Sequence, residues 1–220
     1  MTTLVLLRHG LTALTGPVLA GWTPGLHLDD RGWAQAEAVA ERLRGTRFDA
    51  VVSSPLERCV ETAFTATGSE VVVDERLGEC RYGDWTGKPL KELAKTPLWK
   101  VVQQHPSAAV FPDGEALRDV QNRAVAAVRD WNARLGPDAT WLACSHGDVI
   151  KSVVADALGL HLDQFQRLVV DPCSLTVITY GETRPFVQRL NDTGSSALPA
   201  RSHPRRRRSS DAAVGGGAGA

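Results

Sequence analysis

Leu4 to Leu7 is an unbroken apolar run that stops at Arg8-His9-Gly10. A short run without polar alternation predicts a fully buried strand, Thr3 to Leu7. Residues 11–28 carry Gly16, Pro17, Gly21, Pro24 and Gly25 and read as a loop. Asp29 is placed to cap a helix running to about Arg44, with Trp33, Ala36, Val39, Ala40 and Leu43 at helical spacing. Ala50 to Val52 is a second strand. Ser54, as N-cap, and Pro55, in the first turn, then start a helix that carries Arg58 and Thr62. Val71 to Val73 is a third strand. Residues 74–114 are irregular, with helical fragments near Pro89–Lys95 and Leu98–Gln104. Glu115 to Leu135 has one apolar face made by Leu117, Val120, Ala124, Val128, Trp131 and Leu135.

Thr140 to Cys144 is a fourth strand, ending at Ser145-His146-Gly147 and followed by a helix from about Asp148 to Leu158. Ser174–Tyr180 and Phe186–Leu190 are joined by a short link with Gly181, which predicts an antiparallel pair. Strands that alternate with helices indicate a three-layer α/β/α sandwich on a mainly parallel, mixed six-stranded sheet. One domain is expected over residues 1–194. Residues 195–220 are Gly, Ala, Ser, Pro and Arg, too polar and small to pack, and are expected to form a disordered basic tail.

Composition narrows the reading. Of 220 residues 43% are hydrophobic, enough for a sizeable core. The longest apolar run is Ala124–Val128, far short of the roughly 20 residues of a membrane span. The first residues lack the basic and long apolar regions of a secretory signal. Overall formal charge is +0, but Arg201 and Arg205–Arg208 face only Asp211 in the tail, so the body is acidic. An acidic body is a poor nucleic-acid surface, and the arginine run reads as a solvated segment. Cys59, Cys80, Cys144 and Cys173 have no metal or haem spacing and read as buried, reduced thiols of a cytoplasmic protein.

Two histidines share a context. His9 and His146 each follow an apolar strand and precede a glycine. Ligands of open α/β sheets bind beyond the carboxyl ends of the strands, so neighbouring strands would bring both imidazoles to one edge. Arg8 beside His9 repels a metal cation and suits an oxyanion, so no metal is expected. Arg58, in the first turn of its helix, adds a cation where free N–H groups already favour anions.

Arg8-His9-Gly10, then Ser54-Pro55-Leu56-Glu57-Arg58 with Thr62, then Glu79 before Tyr82-Gly83-Asp84-Trp85-Thr86-Gly87, then Ser145-His146-Gly147 occur in this order. In this ordered set the chain resembles the histidine phosphatase superfamily, in its phosphoglycerate-mutase-like branch, over roughly residues 3–192. The resemblance implies a metal-independent phosphomonoester hydrolase that needs no cofactor and acts on a small phosphorylated metabolite. It implies that His9 is the nucleophile and becomes phosphorylated. It implies that Arg8, Arg58 and His146 surround the phosphoryl oxygens, and that Glu79 is the proton donor. Glu115 and Asp148 are runner-up acids, each with an alternative role at the start of a helix.

Two positions depart from the family pattern. Thr15 stands where many members carry a phosphate-binding Asn, and its shorter hydroxyl can still donate. Gly21-Trp22 replaces Gly-Arg and removes a positive charge near the substrate mouth. Trp22, Trp99 and Glu115 are candidate pocket residues. The alternatives are a cofactor-dependent phosphoglycerate mutase, whose members usually carry a longer segment before the second histidine, and a non-catalytic phospho-ligand-binding protein.

Overall fold

The structure is a computed structural model that describes residues 1–195, Gly215 and Gly217. Its strands are β1 (Thr2–Arg8), β2 (Ala50–Ser53), β3 (Val72–Val73), β4 (Thr140–Ser145), β5 (Leu175–Tyr180) and β6 (Pro185–Asp192). Its helices are α1 (Asp30–Leu43), α2 (Glu57–Thr67), α3 (Leu90–Leu93), α4 (Pro97–Gln104), α5 (Leu117–Leu135) and α6 (Gly147–Ala157). The sheet order is β3-β2-β4-β1-β5-β6. The first four of these strands run parallel, and β5 and β6 are antiparallel to their neighbours.

Side chains alternate across a strand, so β1 feeds two cores. Leu4 and Leu6 join Val52, Trp141, Ala143 and Ile178 beneath α5 and α6. Val5 and Leu7 join Val51, Leu142 and Cys144 beneath α1 and α2. The result is the three-layer α/β/α sandwich expected from the strand–helix alternation. β1 and β4 are paired in register, Arg8 opposite Ser145, and His9 N–H donates to the Ser145 carbonyl at 3.0 Å. The two His-Gly corners therefore lie side by side.

Some local expectations change. Asp29 caps α1 by accepting from Gly32 N–H, but Trp33 is 38% exposed, and Gly32, Ala36 and Val39 are the buried positions of α1. Gly32 is needed for a close crossing: a Cβ there would lie 2.1 Å from the Leu11 carbonyl oxygen, and one on Gly10 would lie 2.8 Å from that of Gly32. Helix α2 begins at Glu57 with Leu56 at its cap, later than Ser54-Pro55 suggests; the Ser54 hydroxyl accepts from Leu56 N–H at 3.3 Å and also meets His146 Nε2 at 2.7 Å. Residues 196–214, 216 and 218–220, which include the arginine run, lie outside the described residues. Gly215 and Gly217 stand at the cleft described next. No helix among the described residues is long and apolar enough to cross a membrane.

Candidate active site

A cleft opens beyond the carboxyl ends of β1, β2 and β4. Arg8, His9, Arg58 and Glu79 line its floor, and Thr12, Thr15, Val18, Leu19 and Leu90 line its walls. The wall is a small pairing of two loops: Leu19 N–H donates to the Lys88 carbonyl at 3.0 Å, and Gly87 N–H donates to that of Leu19 at 2.8 Å.

His9 is buried, and its Nδ1 lies 2.7 Å from the Gly10 carbonyl. A carbonyl only accepts, so Nδ1 carries the proton and Nε2 keeps its lone pair. Burial holds its imidazolium form well below the usual histidine range, and Arg58 and Arg8 add to this. Gly10 N–H donates to Thr62 Oγ1 at 3.1 Å, and that hydroxyl donates to the Arg58 carbonyl at 2.6 Å. The His9-Gly10 turn is thus bolted to α2.

His146 is fully buried and meets His9 edge to face, with ring centroids 5.1 Å apart. Arg58 Nη2 donates to His146 Nδ1 at 3.3 Å, so Nε2 carries the proton toward Ser54 Oγ at 2.7 Å. Burial first, then Arg58, keeps this ring neutral. Arg58 Nη2 also donates to the Gly21 carbonyl at 2.8 Å, while its Nε and Nη1 are buried with no hydrogen-bond partner. Arg8 Nη1 donates to the Val170 carbonyl at 2.7 Å, and Nη2 donates to that of Gly217 at 2.6 Å. Two buried guanidiniums facing two neutral imidazoles concentrate positive potential that an oxyanion can satisfy.

Glu79 is 5% exposed. Its Oε1 accepts from Cys80 N–H at 2.9 Å, and its Oε2 lies 3.8 Å from His146 Nδ1. Burial, then Asp148, pushes its carboxyl up to about 7 against the pull of Arg58 and Arg8. An acid half-protonated near neutrality, at the edge of an anion site, is suited to donate a proton.

The turn that carries Glu79 is held from behind. Arg123 donates to the carbonyls of Arg76, Gly78 and Glu79 at 2.7–2.9 Å. Glu115 pairs with Arg123 at 2.8 Å and accepts from Arg81 N–H at 2.8 Å. Trp22 Nε1 donates to the Glu79 carbonyl at 2.6 Å, with Arg81 stacked 3.9 Å above its ring. Ser145 Oγ donates to the Leu77 carbonyl at 2.7 Å, which ties β4 to the same turn.

Three candidate pocket residues therefore sit elsewhere. Trp22 and Glu115 brace the back of the Glu79 turn, because their polar atoms meet the main chain of Glu79 and Arg81. Trp99 lies on α4 and stacks on Trp85 in the core, with centroids 6.3 Å apart. Thr15 does line the cleft, with its Oγ1 shared with Thr12 at 2.9 Å. Thr12, Ser54, Tyr82, Arg123 and Lys151 were not singled out as site residues. Ser54 and Tyr82 stand in the ordered motifs, but their partners His146 and Asp148 lie 92 and 66 residues away; Arg123 acts on Glu79, 44 residues away, and Thr12 and Lys151 are marked only by burial. Among the described residues, no group of three or more His, Cys, Asp or Glu side chains could hold a metal ion. All four cysteines are free and buried.

Comparisons with known proteins give the chain a family and a fold. The family model of the histidine phosphatase superfamily (branch 1) matches residues 4–193. A bifunctional protein of Mycobacterium tuberculosis is 35% identical over 199 residues, which is 88% of this chain. The chain spans only 54% of that relative's length. Phosphoserine phosphatase 1 of Hydrogenobacter thermophilus is 31% identical over 206 residues, covering 88% of this chain and 93% of the relative. A solved structure of a histidine-to-alanine mutant of Entamoeba histolytica phosphoserine phosphatase, in complex with phosphoserine, superimposes with a TM-score of 0.79. It shares 27% identity and covers 88% of this chain and 98% of that one.

Proposed function

Since this chain belongs to the histidine phosphatase superfamily, branch 1, we propose that it hydrolyses phosphomonoesters of a small metabolite through a phosphohistidine formed on His9. The observation that carries this reading is the His9 ring itself. Its Nδ1 proton is held by the Gly10 carbonyl, and its neutral Nε2 faces a cleft containing two buried guanidiniums and a carboxyl near 7.

In the first step Nε2 attacks phosphorus, the P–O bond to the alcohol breaks, and the Glu79 proton passes to the leaving oxygen. Arg8 and Arg58 hold the equatorial oxygens as charge spreads over them. The Nε and Nη1 donors of Arg58, unpartnered in the structure, match that demand. His146 presents a donor as well once Arg58 turns to phosphate. The Ser54 hydroxyl either donates or accepts, so the ring's proton can move to Nδ1 with Ser54 Oγ donating to Nε2. In the second step water attacks phosphorus, the P–Nε2 bond breaks, and the water proton goes to Glu79.

Phosphoserine is the ligand in the Entamoeba structure, and phosphoserine phosphatases are among the relatives. They support a small phosphorylated metabolite as substrate class. A phosphoglycerate mutase must keep water from its phosphohistidine, and the body of this chain lacks the longer segment usual before the second histidine. Hydrolysis is therefore the reading we prefer.

The test is an aryl phosphate assay with rapid acid-free quenching and mass spectrometry. We expect His9→Ala to lose at least about 10³-fold in rate while keeping its melting temperature. We expect phosphate on His9 in the parent enzyme, and an unchanged rate in EDTA. Phosphate on a serine or cysteine, or activity that EDTA abolishes and a divalent ion restores, would overturn the mechanism.

A further inference from the structure

Asp148 takes no part in the steps above, yet it is 1% exposed beside them. It is the second residue of α6, two positions beyond His146. Its Oδ2 accepts from the Tyr82 hydroxyl at 3.0 Å and from Gly215 N–H at 2.9 Å. Its Oδ1 accepts no hydrogen bond and lies 3.8 Å from Lys151 Nζ. Lys151 is buried too, and is fixed by Gln166 Oε1 at 3.1 Å. Tyr82 belongs to the turn that carries Glu79, three residues further on. The second carboxylate is thus pinned to the acid's own turn on one side and to the helix behind His146 on the other.

We propose that Asp148 is a positioning residue for the Glu79 proton: a fixed negative charge that makes Glu79 hold its proton until the leaving oxygen takes it. The inference rests on the phosphatase reading above. Arg8 from β1 and Arg58 from α2 face Glu79 and favour its anion. His146, kept neutral by burial, contributes no opposing charge. Asp148 is the charged group that opposes ionisation of Glu79, and with burial it outweighs both arginines. Around Asp148 stand groups that a carboxylate accepts from or pairs with: the Tyr82 hydroxyl and Gly215 N–H on Oδ2, and Lys151 Nζ 3.8 Å from Oδ1.

The arrangement serves both half-reactions. After the first proton transfer Glu79 is a buried anion beside the Asp148 carboxyl, and Lys151, the arginines and the phosphorylated His9 ring, which keeps its Nδ1 proton, stand against them and the phosphoryl group. Like charges in a dry site cannot both persist cheaply, so Glu79 takes the proton of the attacking water and the acid is reset.

The test compares pH profiles of kcat/KM for an alkyl phosphate and for p-nitrophenyl phosphate. With the parent enzyme, the alkyl profile falls on its basic side as Glu79 ionises. In Asp148→Asn, which keeps an acceptor for Tyr82, that limb moves down by about one pH unit. The alkyl rate then falls about tenfold at pH 8 and little at pH 6. The aryl profile keeps its shape, because that leaving group needs no proton. Tyr82→Phe keeps the charge and leaves the limb in place. Asp148→Ser reads the same way if the asparagine variant does not fold. A limb that does not move, or both esters losing rate in parallel at every pH, would overturn the proposal and leave Asp148 a packing residue. If the parent enzyme hydrolyses neither ester, the phosphatase reading fails first and this one with it.

Discussion

Replacing Glu79 with glutamine separates proton donation from every other property of the site. Glutamine keeps the shape and the acceptor for Cys80 N–H, but supplies no acidic proton. At the ordinary value of 4.5, roughly one glutamic acid in 300 would be protonated at pH 7. Pushed up to about 7, about half are. Burial and Asp148 therefore raise the competent fraction by about two orders of magnitude. General acid catalysis contributes typically 10²–10⁴-fold when the leaving group demands it. An alkoxide does, and p-nitrophenolate does not. We expect Glu79→Gln to lower kcat/KM for an alkyl phosphate by roughly 10²–10³-fold, and for p-nitrophenyl phosphate by no more than about tenfold. The protonated carboxyl is the active form. The parent alkyl rate should therefore fall as pH rises through about 7, and the variant should lose that basic-side dependence. Steady-state kinetics from pH 5 to 9 on both esters decides the matter. Equal losses on the two esters, or a basic limb that survives in the glutamine variant, would refute the assignment. Selective loss of the alkyl rate in Glu115→Gln instead would move the acid to Glu115.

Arg58→Met should lower kcat/KM by roughly 10²–10³-fold through lost stabilisation of the phosphoryl oxygens. Because two buried Arg58 donors are unpartnered, its melting temperature without ligand should hold or rise, while added phosphate should no longer raise it; calorimetry with and without phosphate checks both. A chain ending at Ser195 lacks the Gly217 carbonyl on Arg8, and its KM should fall by up to about tenfold at constant kcat. A KM that rises would mean that the C-terminal segment helps to hold substrate, and one that does not move would mean that it stays outside the fold's work.

The sequence by itself determined what depends on short range and on patterning. Unbroken apolar runs gave β1 and β4, and the helical spacing of Leu117 to Leu135 gave α5, because burial on two faces or on one stripe leaves a periodic trace in the chain. The ordered motifs gave Arg8, His9, Arg58, Glu79 and His146, since each stands at a strand end, at a helix start or in a marked turn. Only the tertiary structure decided which polar side chains turn toward the cleft. Trp22 and Glu115 belong to segments that could equally have walled the pocket. Their indole N–H and carboxylate instead meet the main chain of the Glu79 turn and its clamp Arg123, 57 and eight residues away in sequence. Trp99 was placed by its stacking on Trp85, and Ser54 holds His146, 92 residues away, as well as the Leu56 N–H ahead of α2. The proton affinity of Glu79 is of the same kind. It is set by burial and by a carboxylate 69 residues further along the chain, and neither leaves a local signature, because charge interactions act through space.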